Sequence, residues 1–274
     1  MRRLFPAVLV AATGVTLAFL VVPIVAIFLR VPPAKLVESL GSEVARDALV
    51  VTLQTTVVAQ LLIILFGTPT AYLLATRRFR GHSLAVTLIE LPLVLPPAVA
   101  GIGLLATFGR LGLLGSSLSA AGIEIAFTKV AVVLAVMFVA GPFYIRTAVA
   151  AFGEVSSTLT DAARTLGAGP ARTFARVALP LALSGLGAGA ALSFARGIGE
   201  FGATIMFAGS LQGVTQTLSL AVYEQFDVDF DTALAIGAEL VVASAAVLLI
   251  VKLVPSWRLS TSLFPTGSAT SASS

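Results

Sequence analysis

No cysteine occurs in the 274 residues, and there is a single histidine, His82. Disulfides, thiolate metal centres and cysteine nucleophiles are thereby excluded. A histidine-built metal site or a Ser-His-Asp triad lacks the side chains it needs. Charge is scarce too: 11% of residues are Asp, Glu, Lys or Arg, against 58% hydrophobic. A soluble domain of this length cannot hide so much apolar surface. No segment reads G-x-x-x-x-G-K-[ST], so the sequence offers no phosphate loop for a nucleotide. What it has instead is long apolar runs, and these make it a polytopic helical membrane protein.

Six runs are long enough to cross a hydrocarbon layer of roughly 30 Å, which takes about 20 helical residues. They cover approximately 4–29, 48–76, 84–108, 128–152, 180–207 and 232–254. The first follows Arg2 and Arg3 and is about twice the apolar length of a cleavable signal, so a retained first helix is expected. The second is expected to kink at Gly67-Thr68-Pro69. Pro92, Pro96 and Pro97 are expected to break the third, and a broken helix at membrane depth must face protein or a water-filled path. Residues 260–274, rich in Ser, Thr, Ala and Gly, read as a disordered tail beyond a transmembrane domain of 1–259.

Charge sets the orientation. With both termini cytoplasmic, the inner segments (the N-terminus, 77–83, 146–176 and the tail) carry eleven basic residues and two acids, Glu154 and Asp161. The outer loops carry five basic residues and eight acids. That asymmetry follows the positive-inside rule and accounts for the net charge of +4 without nucleic acid as a partner.

The most informative stretch is a polar island, DAARTLGAGPARTFARVALP, from Asp161 to Pro180. Ser156, Ser157 or Thr158 can cap a short helix ending at Leu166. Gly167 suits the left-handed position after a helix, Gly169 permits a further turn, and Pro170 suits the first residue of a second helix over about 170–178. Arg172 and Arg176 then share a face, while Ala162, Ala163 and Ala168 keep the surface low enough for a partner to pack closely. Read this way, 153–179 is a helix, a glycine turn and a helix lying along the membrane. The plainer reading is a basic amphipathic loop resting on anionic lipid.

The order Asp161-Ala162-Ala163, three residues, Gly167, nine residues, then Val177-Ala178-Leu179-Pro180 resembles the cytoplasmic loop of importer-type ABC permeases. Family members carry Glu where this chain has Asp161. The likeness extends over about 48–254: Leu91–Gly101 (LPLVLPPAVAG) and Phe194–Thr204 (FARGIGEFGAT) are similar to the third and fifth helices of molybdate, tungstate and sulfate permeases. Phe207–Ser210, Gly213–Thr217 and Leu220–Tyr223 are similar to the molybdate/tungstate branch. The resemblance implies a coupling loop formed by Asp161, Ala162, Ala163, Arg164, Gly167, Gly169, Arg172, Leu179 and Pro180, seated in a cleft of a separate ATPase. It also implies a homodimer with two ATP-binding cassette subunits and an extracytoplasmic solute-binding protein. On that resemblance no cofactor or metal is expected in this chain, ATP and Mg being bound by the partner.

Translocation-path or gate candidates are Pro96, Pro97, Ser193, Arg196, Glu200 and Thr204. The i, i+4 spacing puts Arg196 and Glu200 on one face of an apolar helix, where ionisable residues pair or face a cavity. Mutual neutralisation that anchors helices and a gating role both fit. Glu200 would repel a dianion, so Arg196, Thr204 and Ser193 are the better transient contacts. Glu90 and Glu239 are expected to make interhelical hydrogen bonds. Gly185, Gly187 and Gly189 are expected to pack helices closely. The acidic stretch Gly209–Asp231 is expected to meet basic residues of the solute-binding protein.

The expected fold is an all-α integral membrane protein of six transmembrane helices, like a type I ABC importer permease, working as a dimer in a prokaryotic plasma membrane. The expected function is ATP-driven import of molybdate or tungstate. The alternatives are a sulfate/thiosulfate ABC permease or, in another class, an ion-gradient-driven secondary transporter.

Overall fold

The computed structural model describes residues Leu4–Leu253. Arg2, Arg3, Arg258 and the 260–274 tail lie outside the described residues. Every regular element among them is helical: α1 (Leu4–Arg30), α2 (Pro33–Gly41), α3 (Glu43–Thr76), α4 (His82–Val94), α5 (Pro97–Phe108), α6 (Gly115–Ala120), α7 (Lys129–Gly153), α8 (Ser157–Thr165), α9 (Pro170–Thr173), a π-turn (Phe174–Ala178), α10 (Leu179–Ile198), α11 (Gly202–Ala208), α12 (Leu218–Phe226) and α13 (Phe230–Leu253). Among the described residues five stretches are long and apolar enough to span, and the pair α4–α5, bent by 115°, brings the number to six when taken as one broken span. The break in that pair follows from chemistry. Leu95 and Pro96 are extended, and Pro97 opens α5 at a position whose N–H needs no partner. Pro92, by contrast, stays within α4.

α3 runs as one helix through Gly67-Thr68-Pro69, with Pro69 inside it, and Thr68 Oγ1 donates to the Ile64 carbonyl at 2.7 Å. One expectation is corrected. The fifth span ends at Ile198, not near 207, and α11 is a separate helix.

The chain divides into two compact units. One holds the described residues 4–58, Pro96–Val136 and Gly197–Ala246. Ala45, Ala48, Leu218, Ala221 and Ile236 form its core, with Leu49, Val222 and Leu240 packed around them. Thr52 ties α3 to α12, accepting the Leu218 N–H at 2.9 Å and donating to the Ala48 carbonyl at 2.7 Å. α5 and α11 meet through small residues: a Cβ added to Gly101 would lie 2.5 Å from the Ala203 carbonyl oxygen. α1 belongs to this unit, yet none of its most apolar window is buried.

The other unit holds Ala59–Leu95, Met137–Arg196 and the described residues 247–253. Here α7 packs against α10 along a line of small residues, as the glycines predict. A Cβ at Gly185 would sit 2.4 Å from Ala151 Cβ, and one at Gly189 would sit 3.0 Å from Thr147 Cβ. Ser193 Oγ extends the line by donating to the Ala140 carbonyl at 3.0 Å.

Candidate coupling island and translocation segments

The island takes the form its residues dictate. α8 begins after Ser156, whose side chain makes no capping hydrogen bond. It ends where Gly167 turns left-handed at φ 84°. The Gly167 N–H donates to the Arg164 carbonyl at 2.9 Å and the Ala168 N–H to the Ala163 carbonyl at 3.0 Å, the paired bonds of a glycine C-cap. Gly169 is extended and Pro170 opens α9. Asp161 is exposed and bridges Arg164 within α8 at 3.1 Å. Ala162, Gly169 and Arg172 are exposed as well, while Ala163 is half-buried.

Sequence reasoning missed three features here. Leu166, beside the turn, is 88% exposed, an apolar knob on an otherwise polar surface. The helix that starts at Pro170 does not stop before Leu179-Pro180. It widens into the π-turn, in which the Leu179 N–H reaches back five residues to the Phe174 carbonyl, and then continues as α10. Proline lacks an N–H, and a π-turn is a known way to absorb that loss. Phe174 in that turn stacks with Tyr72 of α3 (4.8 Å between centroids) and Phe152 of α7 (6.1 Å), and Tyr72 meets Phe152 at 5.2 Å. The island is thus pinned to two spans by one aromatic cluster. Alternating aromatic and small residues carried no signal for this long-range contact.

The path candidates are shared between the two units. In the first, Pro96, Pro97, Glu200 and Thr204 lie on elements in direct contact: a Cβ at Gly202 would come within 2.9 Å of Pro97 Cβ. Thr204 is fully buried. Glu200 is 2% exposed, and its Oε1 accepts the Ala203 N–H at 2.8 Å. The expected single face for Arg196 and Glu200 is corrected. α10 ends at Ile198, and Glu200 stands in the break before α11, where its carboxylate serves the first turn of that helix. Ser193 and half-buried Arg196 belong to the second unit. Ser193 is buried against α7.

Glu90 and Glu239 are both engaged. Glu239 accepts from Ser39 Oγ at 3.0 Å, a hydrogen bond between α13 and α2. Glu90 instead makes an ion pair, with Oε1 lying 3.1 Å from Arg146 Nε. Arg146, counted with the inner-side charges and within the span expected over 128–152, lies inside α7. Two acids of the acidic stretch, Asp229 and Glu224, are already used within the chain, and Gln212 of the stretch reaches Asp47 of α3. Asp229 takes Lys35 Nζ at 3.0 Å, Asp47 accepts from Gln212 at 3.3 Å, and Glu224 accepts from Gln216. The Thr232 hydroxyl, with Lys35 next, holds the Asp229 carboxyl down to about 2. The same hydrogen bond to Asp229 raises Lys35 above its ordinary value.

Helical spans joined by a helix–glycine–helix island define a class of membrane transport subunit. Residues 63–257 match the family described as binding-protein-dependent transport system inner membrane component, and the chain belongs to that family. It is a multi-pass inner-membrane protein and a translocation component, with ATP hydrolysis carried out by a separate ATPase. The molybdenum transport system permease protein ModB of Mycobacterium bovis is 45% identical over 233 residues, covering 85% of this chain and 88% of the relative. The sulfate transport system permease protein CysW of Synechococcus elongatus is 35% identical over 215 residues, covering 78% and 75%. The fold is similar to that of a bacterial ABC transporter involved in import of the acidic polysaccharide alginate, with a TM-score of 0.75 at 16% identity over 94% of this chain and 96% of that one.

Proposed function

We propose that the chain is the permease of an ATP-driven importer of molybdate or tungstate. It works as a homodimer with two ATPase subunits, which bind the ATP and Mg, and an extracytoplasmic solute-binding protein, and both termini are cytoplasmic. The observation that carries the substrate is the 45% identity to a molybdenum permease across 85% of the chain, against 35% to a sulfate permease. The latter keeps sulfate as the second reading.

The island supports the mechanism. Asp161, Ala162, Arg164, Gly169 and Arg172 present a low polar surface with Leu166 protruding from it, a shape that fits a cleft on the ATPase. Gly167 sets the turn, and Leu179-Pro180 carry the helix on into α10. A push on α8 then reaches the spans through Phe174, and the spans reorient as rigid bodies. Of the path candidates, Pro96, Pro97 and Thr204 lie together in one unit, where Glu200 serves the start of α11; in the other unit Arg196 is the cationic candidate and Ser193 holds α10 to α7.

The test reconstitutes the whole complex in liposomes and measures ATP hydrolysis with binding protein loaded with molybdate, tungstate or sulfate. Stimulation by molybdate or tungstate above sulfate is expected. Stimulation by sulfate alone would move the assignment to the second reading. Uptake that persists without the ATPase and collapses with an ionophore would sink both.

A further inference from the structure

Arg146 belongs neither to the coupling island nor to the path candidates. It stands seven residues before the end of α7 (Lys129–Gly153), about 10 Å along the axis, with apolar residues on both sides. Glu90 lies eight residues into α4, about 12 Å from its start, at matching depth. Their ion pair borders a cavity of about 240 Å³ whose other walls are apolar: Leu74, Val86, Ile89, Ile145, Val149 and Ala150. Yet the pair is open, with 61% of the Arg146 side chain and 41% of that of Glu90 exposed.

A charge pair this open is expensive against lipid, so the face that bears it meets water or protein. Escape of Arg146 to the inner surface is disfavoured, because helical side chains lean toward the N-terminus and hence back into the span. A guanidinium presents planar donors that fit two oxygens of a tetrahedral anion. A route must bind its ion firmly enough to admit it and weakly enough to release it.

We propose that Arg146 is an oxyanion contact of the translocation route and that Glu90 is its internal competitor. The passing dianion takes the guanidinium from Glu90, and Glu90 recaptures it when the anion leaves. This rests on the oxyanion reading above.

The discriminating variant is E90Q/R146Q in the reconstituted complex, which leaves no unpaired charge behind. A pair that only anchors α4 to α7 tolerates neutral replacement of both members. If Arg146 meets the anion, oxyanion uptake per ATP falls about tenfold in both R146Q and E90Q/R146Q, the loss of one charge-assisted hydrogen bond. Stimulation of ATP hydrolysis by loaded binding protein is retained in E90Q/R146Q, showing an assembled complex. Recovery of wild-type uptake in E90Q/R146Q would overturn the inference while leaving the substrate reading intact. A wild type that imports no oxyanion would overturn both.

Discussion

The hydroxyls of Thr68 and Tyr144 lie 2.6 Å apart inside the protein, and Gly67 makes room for the tyrosine ring. A Cβ at position 67 would fall 2.9 Å from Tyr144 Cδ1 and 3.2 Å from Ile145 Cγ1. Packing therefore outweighs the hydrogen bond at this crossing of α3 and α7. Tyr144→Phe should lower stability by only about 0.6 kcal/mol, the average for an interhelical hydrogen bond in a membrane. Gly67→Val should cost about 1–3 kcal/mol through overpacking. Thermal unfolding of the two variants in detergent gives the order; a larger effect from Tyr144→Phe would refute it.

The glycine turn allows a second comparison. Gly167 needs φ 84° and donates its N–H to the C-cap of α8. Alanine there should cost about 1 kcal/mol locally, since only the left-handed backbone is penalised. Proline can neither adopt that φ nor donate, so Gly167→Pro should undo the turn. The spans do not depend on the turn, so the complex should still assemble and hydrolyse ATP while oxyanion uptake is lost. Uptake at the wild-type rate in Gly167→Pro would exclude the island from coupling.

These contrasts also show what sequence could reveal. The spans were legible because apolar runs are long, and the turn at Gly167-Pro170 because its signals are local. The end of α10 was not. Gly197, Gly199 and Gly202 lie in an apolar run where glycine equally signals close packing, and only the carboxylate of Glu200 on the Ala203 N–H shows that a new helix begins. The pairing of Arg146 with Glu90 was not legible either, because the two are remote in sequence and pairing between spans leaves no local mark. Phe174 escaped notice for the same reason: Tyr72 and Phe152 come from other helices.

Asp229 sets a pH expectation. Its carboxyl titrates at about 2 in the folded protein, below its ordinary 3.8, because the Thr232 hydroxyl and then Lys35 favour the charged form. A depressed folded value means that the contribution is fully present above about pH 4 and is lost as pH falls toward 2. Lys35 is shifted upward, so its share persists until pH rises through its ordinary range near 10.5. Between those limits Asp229→Asn should lower the unfolding temperature by a constant amount. The difference from wild type should close below pH 4 and shrink in high salt, since both side chains are partly exposed. A difference that grows on acidification would contradict the assignment.

Glu200 separates capping from charge. Its Oε1 accepts the Ala203 N–H at 2.8 Å in a buried setting, and a buried donor left without its acceptor costs about 1–3 kcal/mol. Glu200→Ala should therefore destabilise the protein by about that much, whereas Glu200→Gln keeps a carbonyl acceptor at the same reach and should stay close to wild type in unfolding temperature. Uptake by the Gln variant then reads the carboxylate's charge alone. If Glu200 serves the helix start, Glu200→Gln transports at near the wild-type rate. If its charge is part of the gate, that variant is stable but fails to transport.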